Sequence, residues 1–147
     1  VQANDKTNFP LHYFMNEFSD DAIKRTDLFK RIAEQNDMQV LPGCYGGEYN
    51  NDMVAIGKQH NEVIVWLGIK VTGVGGDLQL DRKSMGSFLQ FSTDWFKMVI
   101  VSLRLLGAEN TADLIEEGLL KRTLKLGLLY IDLESGEPSV LPMAIQD

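Results

Sequence analysis

The chain is poor in the side chains that do most enzyme chemistry: among 147 residues there are two histidines, His12 and His60, and one cysteine, Cys44. A lone cysteine closes no internal disulfide, and secreted domains usually carry an even set, so a reducing compartment, the cytoplasm, is expected. Residues 1–10 lack the basic start and apolar core of an export signal, which supports that expectation. Long apolar runs are also missing. Residues 63–69 and 98–101 are the longest, far short of the ~20 residues that span a bilayer, so no membrane segment is expected. Basic residues are outnumbered, 14 against 21 acidic, for a formal net charge of −7. That balance disfavours nucleic acid and anionic lipid as direct ligands, since both attract clustered Lys and Arg.

What remains is an ordinary globular composition, 44% hydrophobic, and a length suited to one domain spanning residues 1–147. Periodicity supplies the elements. Leu11, Phe14, Met15 and Phe18 fall at helical spacing behind Pro10. A second helix is expected from Ser19, with Asp20 and Asp21 at the positive end of its dipole and Ile23, Phe29, Ile32 and Ala33 as its stripe, fading at Gln35-Asn36-Asp37. Residues 38–61 are rich in turn chemistry, and residues 53–57 suit the start of either a helix or a strand. Residues 62–72 are rich in Val, Ile and Trp before Gly73-Val74-Gly75-Gly76, which favours a hairpin with residues 77–81 over a helix at 61–71.

Further on, Ser92 or Thr93 caps a helix through Leu106, with Gly107 at its end. Asn110 opens the next, with Asp113 three residues on and Leu114, Ile115, Leu119 and Leu120 as its buried stripe. Residues 128–133 and 140–145 flank Glu134-Ser135-Gly136-Glu137 as a hairpin, with Pro138 and Pro142 suited to an edge strand. The expected class is α+β: a helix-rich single domain with one or two β-hairpins.

Candidate chemistry is thin. The glycine cluster at 73–76 lacks the Gly-Lys-Ser/Thr ending of a phosphate loop and the GxGxxG spacing of a dinucleotide site, so a turn is the better reading. Neither histidine has a second ligand at helical spacing, so no metal and no cofactor are expected. An enzyme would need Cys44, His60 and an acid such as Glu48 or Asp52 to converge. Spread over the ~7,500 Å² expected for this mass, −7 is about tenfold more dilute than the charge on duplex DNA, so an imitation of DNA would need acids gathered on one face.

At Gly86-Ser87-Phe88-Leu89-Gln90-Phe91 the chain carries Gly-x-Phe-x-Gln-Phe, then Leu103-Arg104-Leu105-Leu106-Gly107-Ala108 and Ala112-Asp113-Leu114-Ile115. Over about residues 84–120 this resembles the small bacterial DNA mimic protein family, whose members pair an Asn-Gly-Gly-Phe-x-Gln-Phe segment with a downstream Leu-x-x-Ile/Leu-Gly-Ala and an Ala-x-Leu-Leu/Ile helix. The resemblance implies a mostly helical dimer whose acidic surface occupies the DNA site of a regulator, with Gly86, Phe88, Gln90 and Phe91 as structural positions only.

The expected function is therefore an acidic protein-binding module, not an enzyme, that occludes a basic site on a protein partner, a regulator or a toxin. DNA mimicry and immunity to a toxin enzyme are its two versions, and a homodimer is compatible with either. The acids expected to meet the partner are Asp20, Asp21, Asp113, Glu116 and Glu117. A structural subunit would instead show an exposed apolar patch along residues 98–106.

Overall fold

A computed structural model describes residues 22–43, 45–46, 53–68, 80, 82–85, 87–131 and 137–147. The expected helix at 9–18, the caps Ser19, Asp20 and Asp21, and the glycine cluster at 73–76 lie outside these residues. The described chain forms α1 (Ala22–Gln35), β1 (Met38–Val40), β2 (Val54–Gln59), β3 (Glu62–Gly68), α2 (Thr93–Leu105), α3 (Glu109–Lys121), β4 (Lys125–Ile131) and β5 (Pro138–Met143). The fold is α+β, with the strands in a single mixed sheet of order β1-β2-β3-β4-β5. Neighbours are antiparallel except β3 and β4, which run parallel across a crossover that contains α2 and α3.

The expectation of a helix-rich fold with hairpins is thus corrected. Three helices and five strands share the described residues, and the two hairpin-like pairs, β2–β3 and β4–β5, are fused through the parallel β3–β4 ladder. β3 has a neighbour at each edge, β2 and β4, while residues 69–79 and 81, which carry most of the expected glycine hairpin, lie outside the described residues. The hairpin that does form turns at His60-Asn61, where φ is 52° and 65°. Two successive positive φ values between Gln59 and Glu62 are the geometry of a two-residue primed turn, whose twist matches the strands it joins. Because the usual Asn-Gly signal is absent there, the sequence pointed to the glycines further on.

β3 also explains its own composition. Val63, Val65 and Leu67 face α2 and α3 together with Val54, Ile56, Leu126 and Leu128. Ile64 and Trp66 face α1 with Ala55, Met53 and Leu129. A central strand buried on both faces reads as a continuous apolar run, which is why its period is ambiguous in the sequence. Gly68 marks the closest approach of α1: a Cβ there would lie 2.7 and 2.8 Å from the Phe29 ring.

α1 buries Leu28, Phe29, Ile32 and Ala33 and ends at Gln35, followed by Asp37 at φ 58°. At the other edge, β5 carries Pro138 and Pro142, each spared the ladder donor that a central position would demand. Its pairing with β4 spans Leu126–Ile131 and Pro138–Met143, about two residues earlier than expected on both sides.

Ser84 and residues 87–91, which include the Phe-x-Gln-Phe part of the motif, form a scaffold for the start of α2. Ser84 and Phe88 exchange backbone bonds of 2.9 and 3.1 Å. Fully buried Gln90 donates to the Tyr45 carbonyl at 3.1 Å, and buried Ser84 donates to that same carbonyl while accepting from Trp95 Nε1 at 2.9 Å. Phe91 sits in the left-handed region at φ 66°, a strained position for a bulky residue. It is held there by edge contact with Trp95 (5.8 Å) and stacking on Phe96 (6.0 Å). Among the described residues no helix is long and apolar enough to cross a membrane.

Candidate functional site

The α2–α3 hairpin brings two of the expected acids, Asp113 and Glu116, to one arginine. Ser92 caps α2, its Oγ accepting from Trp95 N–H at 3.2 Å, and Asp94 lies in the first turn. The helix closes one residue earlier than expected, at Leu105, in a Schellman arrangement: Gly107 N–H donates to Arg104 O (3.1 Å) and Ala108 N–H to Leu103 O (2.8 Å). Gly107, at φ 83°, supplies the left-handed residue this needs. The chain reverses into α3 at once.

α3 begins at Glu109, with Ala108 at the cap position and no side-chain cap bond. The expected start at Asn110 with Asp113 as capping partner is therefore corrected. The Schellman turn already fixes the entry of the chain, and Asp113 points to a different group. The expected stripe is corrected too. Ala112, Ile115 and Gly118 are buried, Leu114 and Leu119 half-buried, and Leu120 is 78% exposed. At Gly118 a Cβ would lie 2.5 Å from Leu124, so the chain leaving α3 packs where a longer side chain would stand.

Arg104 in the last turn of α2 is the centre of the site. Its Nη1 lies 2.6 Å from Glu109 and 3.0 Å from Asp113, and its Nη2 lies 3.2 Å from Glu116. The three carboxylates are 59%, 64% and 51% exposed, so they face water as well as the guanidinium. Donating to Glu109, and then to Asp113, raises the Arg104 pKa above its ordinary value. One guanidinium among three carboxylates leaves the cluster at a formal −2. Glu117, the next residue, is paired instead with Lys121 at 2.6 Å, and that hydrogen bond lowers its pKa.

Of the expected acids, Asp113 and Glu116 share Arg104, Glu117 stands beside them with its own lysine, and Asp20 and Asp21 lie outside the described residues. Glu109 was missed. Its signal was present, since Glu109, Asp113 and Glu116 fall at i, i+4 and i+7 on one helical face. Starting the helix at Asn110 left the first of them out.

Two clefts flank the hairpin. One of about 350 Å³ is lined by Asp37, Met38, Ile56, Lys58, Asn110 and Leu114. The other, about 540 Å³, is lined by Thr93, Lys97, Leu120, Arg122, Ile145 and Asp147. The Asp147 carboxylate fills the polar end of this second cleft, accepting from Thr93 N–H (2.9 Å) and Thr93 Oγ1–H (2.6 Å). Those bonds, from the hydroxyl first, lower its pKa, with Arg122 and Lys97 adding in the same sense.

His60 sits exposed in the β2–β3 turn. Cys44, Glu48 and Asp52, which an enzyme reading would need beside His60, lie outside the described residues. Among the described residues no three of His, Cys, Asp and Glu gather as a metal cage. No protein-family model, curated protein or solved structure matches this chain.

Proposed function

We propose that the chain is an acidic protein-binding module, and that the α2–α3 hairpin occludes the cationic site of a basic partner. The observation that supports this is the Glu109–Asp113–Glu116 cluster, held in place by Arg104 and open to solvent. From Glu109 to Glu116 the helix rises ~10.5 Å, and one strand of duplex DNA carries ~3 phosphates over that distance. Three carboxylates less one guanidinium leave two charges there. The local density thus comes within a factor of two of a DNA strand, although the whole surface is far more dilute. A nucleic-acid-binding protein is accordingly the favoured partner, which is the DNA-mimic version of the reading. A toxin with a basic catalytic site would be occluded by the same surface.

Arg104 gives the cluster a second property. By pairing with all three carboxylates it holds them in one arrangement before binding, which lowers the ordering cost of association. Opposite charge on the partner would speed encounter and make binding salt-sensitive. A meeting in the cytoplasm fits the single cysteine.

The test compares wild type with a Glu109→Gln/Asp113→Asn/Glu116→Gln variant as baits, at ~50 and ~300 mM salt, where the screening length falls more than twofold. Basic proteins retained by wild type at low salt, and lost both in the variant and at high salt, are expected. Equal retention by both baits, or an acidic partner, refutes the reading.

A further inference from the structure

Beside the acidic cluster lies an apolar ridge that the carboxylates alone do not explain, the patch along residues 98–106 that was also expected of a structural subunit. Val101 is 47% exposed, Leu105 83% and Leu106 55%, with half-buried Met98 one turn before Val101. Met98, Val101 and Leu105 fall at i, i+3 and i+7, so they share one stripe on the solvent side of α2. Its inner side carries buried Trp95, Phe96, Val99, Ile100 and Leu103. Arg104 separates this ridge from Glu109, Asp113 and Glu116. At its end, Leu106 abuts the exposed Pro42–Gly43 turn, where a Cβ on Gly43 would come within 3.3 Å of Leu106 Cδ1. Single exposed leucines are ordinary on a protein surface, whereas a contiguous stripe on one helix marks a contact.

We propose that this ridge seats an amphipathic helix of the partner, whose apolar face lies along Met98, Val101 and Leu105 and whose Lys/Arg flank meets Glu109, Asp113 and Glu116. The proposal rests on the occlusion reading and specifies the shape of what is bound: apolar anchors at helical spacing with cations to one side. Charge decides among the occupants. Residues 1–21 of the same chain carry Asp5, Glu17, Asp20 and Asp21 against Lys6, the wrong sign for the acidic flank. A second copy brings another net −7, which opposes self-association. A basic amphipathic segment satisfies both halves of the surface.

The test uses two synthetic 18-residue peptides of one Leu/Lys/Gln composition. One has leucines at i, i+3, i+4 and i+7 with lysines on one flank, and the other is scrambled. Binding is read by fluorescence anisotropy at low salt. Wild type is expected to bind the patterned peptide ~10-fold or more tightly than the scrambled one, as burial of two apolar anchors implies. Val101→Ser/Leu105→Ser, at exposed positions whose folding is checked by circular dichroism, should abolish that preference while leaving weak, salt-sensitive binding of both peptides. Equal binding of the two peptides by wild type overturns the helix seat and leaves the acidic reading standing. Unchanged binding of both peptides by the Glu109→Gln/Asp113→Asn/Glu116→Gln variant overturns the acidic reading, and this one with it. A wild-type dimer in sedimentation, lost in Val101→Ser/Leu105→Ser, assigns the ridge to a second copy and refutes the proposal.

Discussion

Replacing Gly68 by alanine tests how tightly α1 is fitted to the sheet. Gly68 ends β3, pairing with Leu129 and donating its N–H to Met53 O at 2.9 Å. An added Cβ would lie 2.7 Å from Phe29 Cδ1 and 2.8 Å from Cε1, about 1 Å inside a normal carbon–carbon contact. Phe29 is fully buried among Leu28, Ile32, Met53 and Trp66, so its ring has no solvent side to swing toward. Either the ring leaves its rotamer or α1 lifts from the sheet, and overpacking of this kind costs about 1–3 kcal/mol. For a chain of this length that is a fall in Tm of roughly 3–10 °C.

Urea denaturation followed by the fluorescence of Trp66 and Trp95 measures it directly. The Phe29→Leu variant separates the mechanism from a general effect. Alone it should cost about 1 kcal/mol as a smaller side chain in a core site. In the double variant the leucine makes room for the new methyl, so the two losses should fall short of additive by at least ~0.5 kcal/mol. A Gly68→Ala variant within ~0.5 kcal/mol of wild type, or strict additivity in the double variant, refutes the close-approach account.

Gly107→Ala should destabilise by about 1 kcal/mol, because no atom lies within 4 Å of the added Cβ and only the left-handed φ of 83° is penalised; thermal melts check it, and an unchanged Tm counts against the Schellman closure. Ser84→Ala should cost about 1–3 kcal/mol, since Tyr45 O keeps its bond from Gln90 but buried Trp95 Nε1–H loses its acceptor; an unchanged denaturation midpoint would argue against that bond. Asp147 and Glu117 both have folded pKa values below their ordinary 3.8 and 4.5, so the stability they add is present above those values and fades as acid carries the pH through the lower folded ones. Carboxyl titration by NMR should place both midpoints below the ordinary values; midpoints at or above them would break the tail-to-Thr93 and Glu117–Lys121 assignments.

How much could be read beforehand varied with the kind of signal. α2 and the turn that closes it were legible almost residue by residue, because Ser92, Asp94 and Gly107 act locally: a hydroxyl caps, a carboxylate meets a dipole, a glycine turns left; α3 was legible as a helix but not in its cap or its buried stripe. α1 was legible for the same reason, through Phe29, Ile32 and Ala33 at helical spacing. The strand pairings were not. Residues 62–68 show a continuous apolar run because both faces are covered, and nothing local says that one neighbour precedes them by two residues and the other follows by more than fifty. The acid site was half legible. Asp113, Glu116 and Glu117 were picked for exposure, but their sharing of Arg104 depends on the angle at which α3 returns over α2.

The sequence by itself determined much of the local conformation: helices at α1, α2 and α3, with ends of α2 and α3 within a residue or so, and that acids outnumber bases on the outward face of α3. Those follow from interactions among residues within about four positions of one another. Only the tertiary structure decided that Glu62–Gly68 lies at the centre of a mixed sheet, that Ser84 and Gln90 tie Tyr45 and Trp95 together, and that one arginine holds three carboxylates beside an exposed apolar ridge. These depend on contacts between residues distant along the chain, selected by how both faces of the sheet are buried at once.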